Sequence, residues 1–135
     1  MRHRVQSKQF GRKSAHRAAL MANLVCALVN ERRIITTLQK ARAARSLAEK
    51  MMTLAKSGTL IARRRALQVL GDKRAVQNLF AELAPNFKDR NGGYCRIIKT
   101  GTRRSDSSCM AIIEWVGLVQ VDRIKKVKAE EEKKK

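Results

Sequence analysis

The sequence predicts one α+β domain in which helices pack on a small β-sheet. Three observations lead to this fold class: an apolar helix-like stretch near the N-terminus, helical periodicity through the middle, and β-branched segments on both sides of it. The predicted order is helix, strand, three helices and two strands. A length of 135 residues suits one domain with tails. We place a flexible basic arm at residues 1–13, the domain at 14–118 and a charged tail at 119–135.

The first helix is predicted over residues 15–29, with Ser14 as its N-cap. This stretch is apolar on nearly every side, which is typical of a helix at the centre of a core. Residues 33–38 are rich in β-branched side chains and predict a short strand.

The second helix is predicted over residues 39–57, because small and apolar residues return there at helical spacing. Gly58 is the natural C-terminal stop. A third helix is predicted over Leu60–Leu70, with Gly71 ending it. The run Arg63-Arg64-Arg65 spans nearly one turn, so its side chains fan out, and contact with RNA or with solvent remains open.

The fourth helix is predicted to begin after Asp72, which suits an N-cap, and to end at Pro85. Its apolar stripe follows the helical period and consists of Val76, Leu79, Phe80 and Leu83.

Two strands are predicted near the end of the domain, at residues 94–100 and 110–116. A flexible turn, Asn91-Gly92-Gly93, precedes them. The polar loop 101–108 lies between them and carries two adjacent arginines, so the pair suits a hairpin. The tail after Leu118 has no apolar stripe and is expected to be disordered or a frayed helix.

The cysteines are Cys26, Cys95 and Cys109, an odd number at wide spacing. They form no CxxC pair, so a zinc site is disfavoured. We interpret them as small core residues of a protein in a reducing compartment. A hairpin would allow Cys95 and Cys109 to face each other, but such a contact is not a bond.

A basic start followed by an apolar run imitates a signal peptide, but Asn23 interrupts the run and no small-residue cleavage site follows. The run is also shorter than the ~20 residues that span a bilayer. No basic amphipathic face with aromatic anchors points to a membrane surface either. We therefore expect a cytoplasmic protein without a membrane partner.

The net charge of +20 and the pI of about 11.1 indicate a polyanionic partner, because self-repulsion otherwise weakens the fold. Aromatic residues are few, with one Trp, one Tyr and three Phe. Stacking of single-stranded bases is therefore disfavoured, and recognition of phosphates and shape fits better.

Three basic surfaces are candidates for nucleic-acid contact. The first is the arm with the start of the first helix: Arg2, His3, Arg4, Lys8, Arg12, Lys13, His16 and Arg17. The second surrounds the first strand and the start of the second helix: Arg32, Arg33, Lys40, Arg42 and Arg45. The third is the strand-and-loop set: Arg96, Lys99, Arg103 and Arg104. Arginine predominates, and its guanidinium can hold a phosphate with two parallel bonds.

A solvated tail is the other interpretation of the arm, but the arm continues without a Gly/Ser linker into Ser14.

The sequence gives little support for catalysis. His3 and His16 lie in a cationic field, Cys26 is buried by pattern, and acidic residues are scattered beside basic ones. No Walker loop, GxSxG or HExxH motif is present, so we expect no enzyme, cofactor, metal or small-molecule substrate.

The chain resembles the bacterial large-subunit ribosomal protein family numbered seventeen, over roughly residues 1–116. The motifs that carry the resemblance are Met1-Arg2-His3-Arg4, Gly11-Arg12, Ser14-Ala15-His16-Arg17, Thr36-Thr37-Leu38-Gln39-Lys40-Ala41-Arg42, Leu54-Ala55-Lys56, Asn91-Gly92-Gly93-Tyr94-Cys95-Arg96-Ile97 and Met110-Ala111-Ile112-Ile113-Glu114. The chain departs from the family at Cys109, where members usually carry proline, and in its longer tail.

The resemblance implies a two-layer domain with a three-stranded sheet. It also implies binding to large-subunit ribosomal RNA near the nascent-chain exit side, beside neighbouring ribosomal proteins, as a structural and assembly component. The alternative is a basic DNA-compacting or RNA-chaperone protein that acts off the ribosome. An RNA-modifying enzyme is a third class, for which no site is evident.

Overall fold

The computed structural model describes residues 8–118, and the predictions for residues 1–7 and 119–135 lie outside them. The elements are α1 (Ser14–Glu31), β1 (Arg33–Thr37), α2 (Leu38–Ser57), α3 (Leu60–Leu70), α4 (Lys73–Asn78), a π-helical turn (Leu79–Leu83), a 3-10 turn (Ala84–Phe87), β2 (Cys95–Thr102) and β3 (Cys109–Trp115). The predicted α+β order is confirmed.

The sheet has three strands in the order β1-β3-β2, and both pairings are antiparallel. Side chains alternate between the two faces of a strand, so Ala111, Ile113 and Trp115 of β3 point the same way. All three are buried against the helices, and α1 and α2 both contact the sheet. The helices therefore form one layer and the sheet the other.

Trp115 joins the two layers at the centre of the core. Its side chain is fully buried, and the indole nitrogen donates a hydrogen bond to the carbonyl of Leu28 at 3.0 Å. The ring of Phe87 lies 6.0 Å away, and Phe87 in turn meets Tyr94 edge-on at 5.6 Å. A large side chain whose polar atom is satisfied stabilises the core by burial without leaving an unpaired donor.

Three predicted helix boundaries are confirmed, namely the ends of α2 and α3 and the start of α4. Gly58 and Gly71 end α2 and α3 with φ of 65° and 72°, a left-handed conformation that glycine adopts at little cost. The Asp72 carboxylate accepts a hydrogen bond from the backbone nitrogen of Arg74 at 2.8 Å. The prediction for Ser14 was wrong, because it is the first helical residue and Lys13 precedes it without a side-chain cap. That turn is exposed, so water can satisfy its free N–H groups.

The prediction that Pro85 ends the fourth helix was also wrong. The α-helical pattern ends earlier, at Asn78, and the chain continues through the π and 3-10 turns to Phe87. Pro85 lies in the first turn of the 3-10 segment, where a missing N–H breaks no helical hydrogen bond. This continuation carries Phe87 into the core.

Helix α1 is less central than its composition predicts. Its buried residues begin only at the middle of the helix: Ala22, Val25, Cys26, Leu28 and Val29. Ala18 and Ala19 are exposed, and Met21 is half-buried. The first half of α1 therefore projects beyond the packed layers.

The cysteine predictions are confirmed in part. Cys26 and Cys95 are buried free thiols, whereas Cys109 is exposed. Cys95 pairs with Trp115 and Cys109 pairs with Thr102, so the two cysteines lie at opposite ends of the hairpin and do not face each other. The offset arises because β3 starts where β2 ends, as the antiparallel pairing requires.

We predict that iodoacetamide at pH 8 alkylates Cys109 of the native protein and spares Cys26 and Cys95. Burial raises the pKa of the Cys95 thiol to about 12, with a further contribution from Glu49, and burial also raises the pKa of Cys26. The reactive thiolate is thus scarce at both buried positions. Peptide mass spectrometry gives the sites. Unfolded protein, in which all three react, is the control, and rapid native labelling of Cys95 would contradict the burial.

Candidate nucleic-acid interface

A basic cleft lies between the projecting half of α1 and the first turns of α2. Its volume is about 440 Å³, and its charged lining residues are Lys8, Arg17 and Arg42. Met21 and Ala43 form its apolar wall. An adjoining cleft of about 510 Å³ shares Arg17 and adds Lys50. None of the residues that line either cleft is acidic.

Helical spacing explains why the lining residues of each helix point into the same cleft. Arg17 and Met21 are four residues apart on α1, and Arg42 and Ser46 are four apart on α2, so each pair shares one helix face. The amine of Lys8 donates to the side-chain oxygen of Gln39, which holds the end of the arm against α2.

A tight turn at Phe10 and Gly11 redirects the chain between Lys8 and α1. Their φ values are 55° and 62°, a region that glycine favours. The Arg12 guanidinium donates to the carbonyl of Phe10 at 2.8 Å, which closes the turn. The Nε atom of Arg12 is buried without a partner among the described residues.

The remaining residues of the first predicted surface divide into two groups. Lys13, which precedes α1, and His16, in its first turn, are both exposed. Arg2, His3 and Arg4 lie outside the described residues.

The structure places the residues of the second predicted surface in different environments. Arg42 enters the cleft, while Lys40 is half-buried in the first turn of α2. Arg32, in the left-handed cap of α1, pairs with Glu82 at 2.5 Å. Arg45 lies 3.7 Å from Glu49. Arg32 and Arg45 therefore each have a carboxylate of the domain itself as a partner.

The loop of the third predicted surface is closed by its own ion pair. Arg103 donates two hydrogen bonds to Asp106, at 2.9 and 2.6 Å, and Ser108 also bonds to this carboxylate. These contacts hold the pKa of Asp106 well below its usual range and raise the pKa of Arg103. Arg104 and Lys99 are exposed without such partners among the contacts resolved in residues 8–118.

The sheet brings together two arginines that the sequence assigned to different surfaces. Arg33 on β1 and Arg96 on β2 both pair in register with Glu114 on the central strand. The Glu114 carboxylate accepts from the Nε of Arg33 at 2.7 Å and from the Nε of Arg96. Glu114 is fully buried.

Sequence reasoning missed the roles of Glu49 and Glu114, because it interpreted acidic residues as surface charges. Glu49 accepts hydrogen bonds from the backbone nitrogens of Tyr94 and Cys95, both at 3.2 Å. It thereby ties α2 to the start of β2, next to Arg96. A signal existed for Glu114, which interrupts an otherwise apolar strand, but nothing in the sequence distinguishes Glu49.

The arginine run of α3 is exposed at all three positions, and the Arg63 guanidinium lies 5.2 Å from the centre of the Phe80 ring.

Within residues 8–118, no group of three or more His, Cys, Asp or Glu side chains is arranged to hold a metal. Among the helices of the same residues, none combines the length and apolar character needed to cross a membrane.

Comparison with known proteins gives a consistent result. The family model described as ribosomal protein L17 matches residues 20–116. The large ribosomal subunit protein bL17 of Desulfotalea psychrophila is 51% identical over 117 residues, 87% of this chain and 91% of that protein. The bL17 protein of Methylacidiphilum infernorum is 50% identical over 131 residues, 96% of this chain and all of that protein. The bL17 protein of Campylobacter jejuni is 51% identical over 116 residues, 86% of this chain and 99% of that protein.

We predict that Glu49→Gln lowers the free energy of unfolding by about 1–2 kcal/mol, because one amide oxygen cannot satisfy both backbone N–H groups that the carboxylate accepts. Urea denaturation followed by circular dichroism measures the change. Glu82→Gln is the matched control, since Glu82 is exposed and its pair with Arg32 should contribute less than about 1 kcal/mol. Equal effects of the two substitutions would reject the structural role of Glu49.

Proposed function

The chain belongs to the ribosomal protein L17 family, and from this membership we propose that it is a structural constituent of the large ribosomal subunit that binds ribosomal RNA. Its place would be in the large subunit, in the cytoplasm. Proteins of this kind are generally not enzymes, and we propose no catalytic activity for it.

The observation that carries the RNA-binding proposal is the cleft between α1 and α2, whose lining includes Lys8, Arg17, Arg42 and no acid. An uncompensated basic cleft attracts phosphate, and release of counterions from RNA favours the complex. Its apolar wall at Met21 and Ala43 gives sugar carbons a surface on which to pack.

The arm is proposed to add further contacts to RNA. The proposed phosphate-binding residues of the arm and α1 are Arg2, His3, Arg4, Lys8, Arg12, Lys13, His16 and Arg17. Arginine donates in a planar fork that matches a phosphate, so its contacts fix orientation as well as charge. The first 30 residues contain no acidic side chain, so RNA would supply the counter-charge that this part of the chain lacks.

Neighbouring ribosomal proteins near the nascent-chain exit side are proposed as further contacts. Binding of this type also supports subunit assembly, because a protein that holds RNA segments together stabilises the folded RNA.

The competing function is a DNA-compacting or RNA-chaperone protein off the ribosome, for which high net charge alone would be sufficient. Sedimentation of the endogenous protein in high-salt gradients separates the two. A ribosomal constituent travels with large subunits, whereas a protein held by diffuse charge dissociates.

We predict that deletion of residues 2–13 strongly impairs incorporation into large subunits. The deletion removes five of the 31 lysines and arginines, so the truncated chain stays basic. Arginine–phosphate contacts of fixed geometry are charge-assisted hydrogen bonds. The loss of several such contacts should weaken RNA binding more than the modest fall in net charge does. The measurement is the fraction of truncated protein in assembled subunits when full-length protein competes, with circular dichroism to verify the fold.

Deletion of residues 119–135 is the control, because this tail mixes lysines with Glu130, Glu131 and Glu132. It should leave incorporation nearly unchanged. Equal loss from the two deletions would reject the arm as the anchor.

We predict that Arg17→Gln with Arg42→Gln weakens binding to a large-subunit RNA transcript and lowers the slope of log K against log salt. Each lost phosphate contact should reduce the slope by roughly 0.7–0.9. Arg74→Gln with Lys88→Gln is the matched control, since both residues are exposed outside the clefts and the charge change is the same. Identical slopes for the two double variants would indicate diffuse attraction instead of a cleft.

A further inference from the structure

The outer face of the sheet carries an ordered row of three charged residues. Side chains alternate along β3, so Glu114 lies on the face opposite to Ile113 and Trp115, away from the helices. Arg33 and Arg96 are its register partners on the two flanking strands. Two strand spacings of about 4.8 Å therefore separate the arginine backbones, with the carboxylate between them.

The carboxylate is fully buried, while the side chains of Arg33 and Arg96 are 42% and 53% exposed. Both arginines bond to Glu114 through Nε, one to each carboxylate oxygen. Among the contacts resolved in residues 8–118, their terminal nitrogens have no protein partner. In each guanidinium, Glu114 therefore holds the Nε atom, and the two terminal nitrogens remain free to bind an anion.

An anchored arginine binds an anion at a lower entropic cost than a free one. A long surface side chain loses rotamer freedom on binding, and here Glu114 has already removed part of that freedom. The row keeps a net positive charge, since two guanidinium groups face one carboxylate. Planar forks held in this way suit the paired oxygens of a phosphate.

We propose that Arg33, Glu114 and Arg96 form one phosphate-binding site for the RNA backbone, in which Glu114 is a positioning residue. The inference rests on the proposed function, because it takes RNA as the ligand. The site unites residues of three strands, of which β1 is distant in sequence from β2 and β3, and it gives the buried carboxylate a role in binding.

The next row of the same face limits where the phosphate can lie. Ile35, Ile112 and Ile98 are in register there, and Ile35 and Ile98 are 66% and 38% exposed. These side chains offer no donor, so an anion is confined to the arginine row. A protein segment with apolar and acidic side chains is the rival occupant of this face.

The substitution Glu114→Gln distinguishes a positioning role of Glu114 from bulk electrostatics, because the two predict opposite changes in RNA affinity. Bulk electrostatics predicts tighter RNA binding, because a negative charge is removed from a basic surface. Loss of positioning predicts weaker binding, by roughly fivefold or more, because two arginine side chains become free to rotate. The probe is a transcript of the large-subunit ribosomal RNA, titrated at fixed salt. Glu82→Gln is the matched control, since it also frees one arginine–carboxylate pair but lies outside the row.

A second variant tests the site even if the Glu114→Gln protein does not fold. Arg33→Lys with Arg96→Lys preserves charge and a donor for Glu114, but it removes both free forks, so binding should again weaken. Arg74→Lys with Arg90→Lys, at exposed positions outside the candidate RNA-binding surfaces, is its control and should bind as the unaltered protein does.

The site is supported if Glu114→Gln and the Arg33/Arg96 lysine variant bind RNA more weakly than their controls. It is overturned if Glu114→Gln binds as tightly as Glu82→Gln, or if both lysine variants behave alike. Unchanged RNA affinity with poor incorporation into subunits would also overturn it, and would point to the protein occupant. Failure of the proposed function is a different result, because the unaltered protein would then show no salt-sensitive RNA binding.

Discussion

The alternation of side chains along β3 is the constraint on which the rest of the structure depends. As the central strand, β3 pairs on both edges, so its register fixes the positions of β1 and β2 together. One face presents Ile113 and Trp115 to the helices and closes the core. The other presents Ile112 and Glu114 on the uncovered side. A shift by one residue would bury Glu114 in the core and expose Trp115, so packing and the charged row are specified together.

The distribution of the few acidic residues is the second organising feature. A chain with a net charge of +20 gains stability wherever a carboxylate meets basic or donor groups. Glu49, Asp106 and Glu114 are each used in this way, at a strand start, a hairpin loop and a sheet face. None of the residues that line the cleft between α1 and α2 is acidic, so the basic charge of the cleft is not compensated by its own lining.

Local signals explain what the sequence predicts well. Gly58, Gly71 and Asp72 act within one turn of their own position, so their effects can be identified without knowing the fold. The failures arise from tertiary context. Pro85 is tolerated because the chain changes its helical type before it, and the charge row joins residues 81 positions apart, from Arg33 to Glu114. No spacing rule could assign Arg32 to Glu82 and Arg33 to Glu114.

The two proposed RNA contacts belong to different layers and differ in physical character. The cleft lies in the helical layer, where Arg17 and Arg42 have no carboxylate partner among residues 8–118 and would attract RNA through their uncompensated charge. The row of Arg33 and Arg96 lies on the outer face of the sheet, where Glu114 reduces the net charge but fixes the geometry. The two proposed contacts therefore contribute different things: the cleft supplies charge that no lining carboxylate compensates, and the row supplies donors in a fixed geometry.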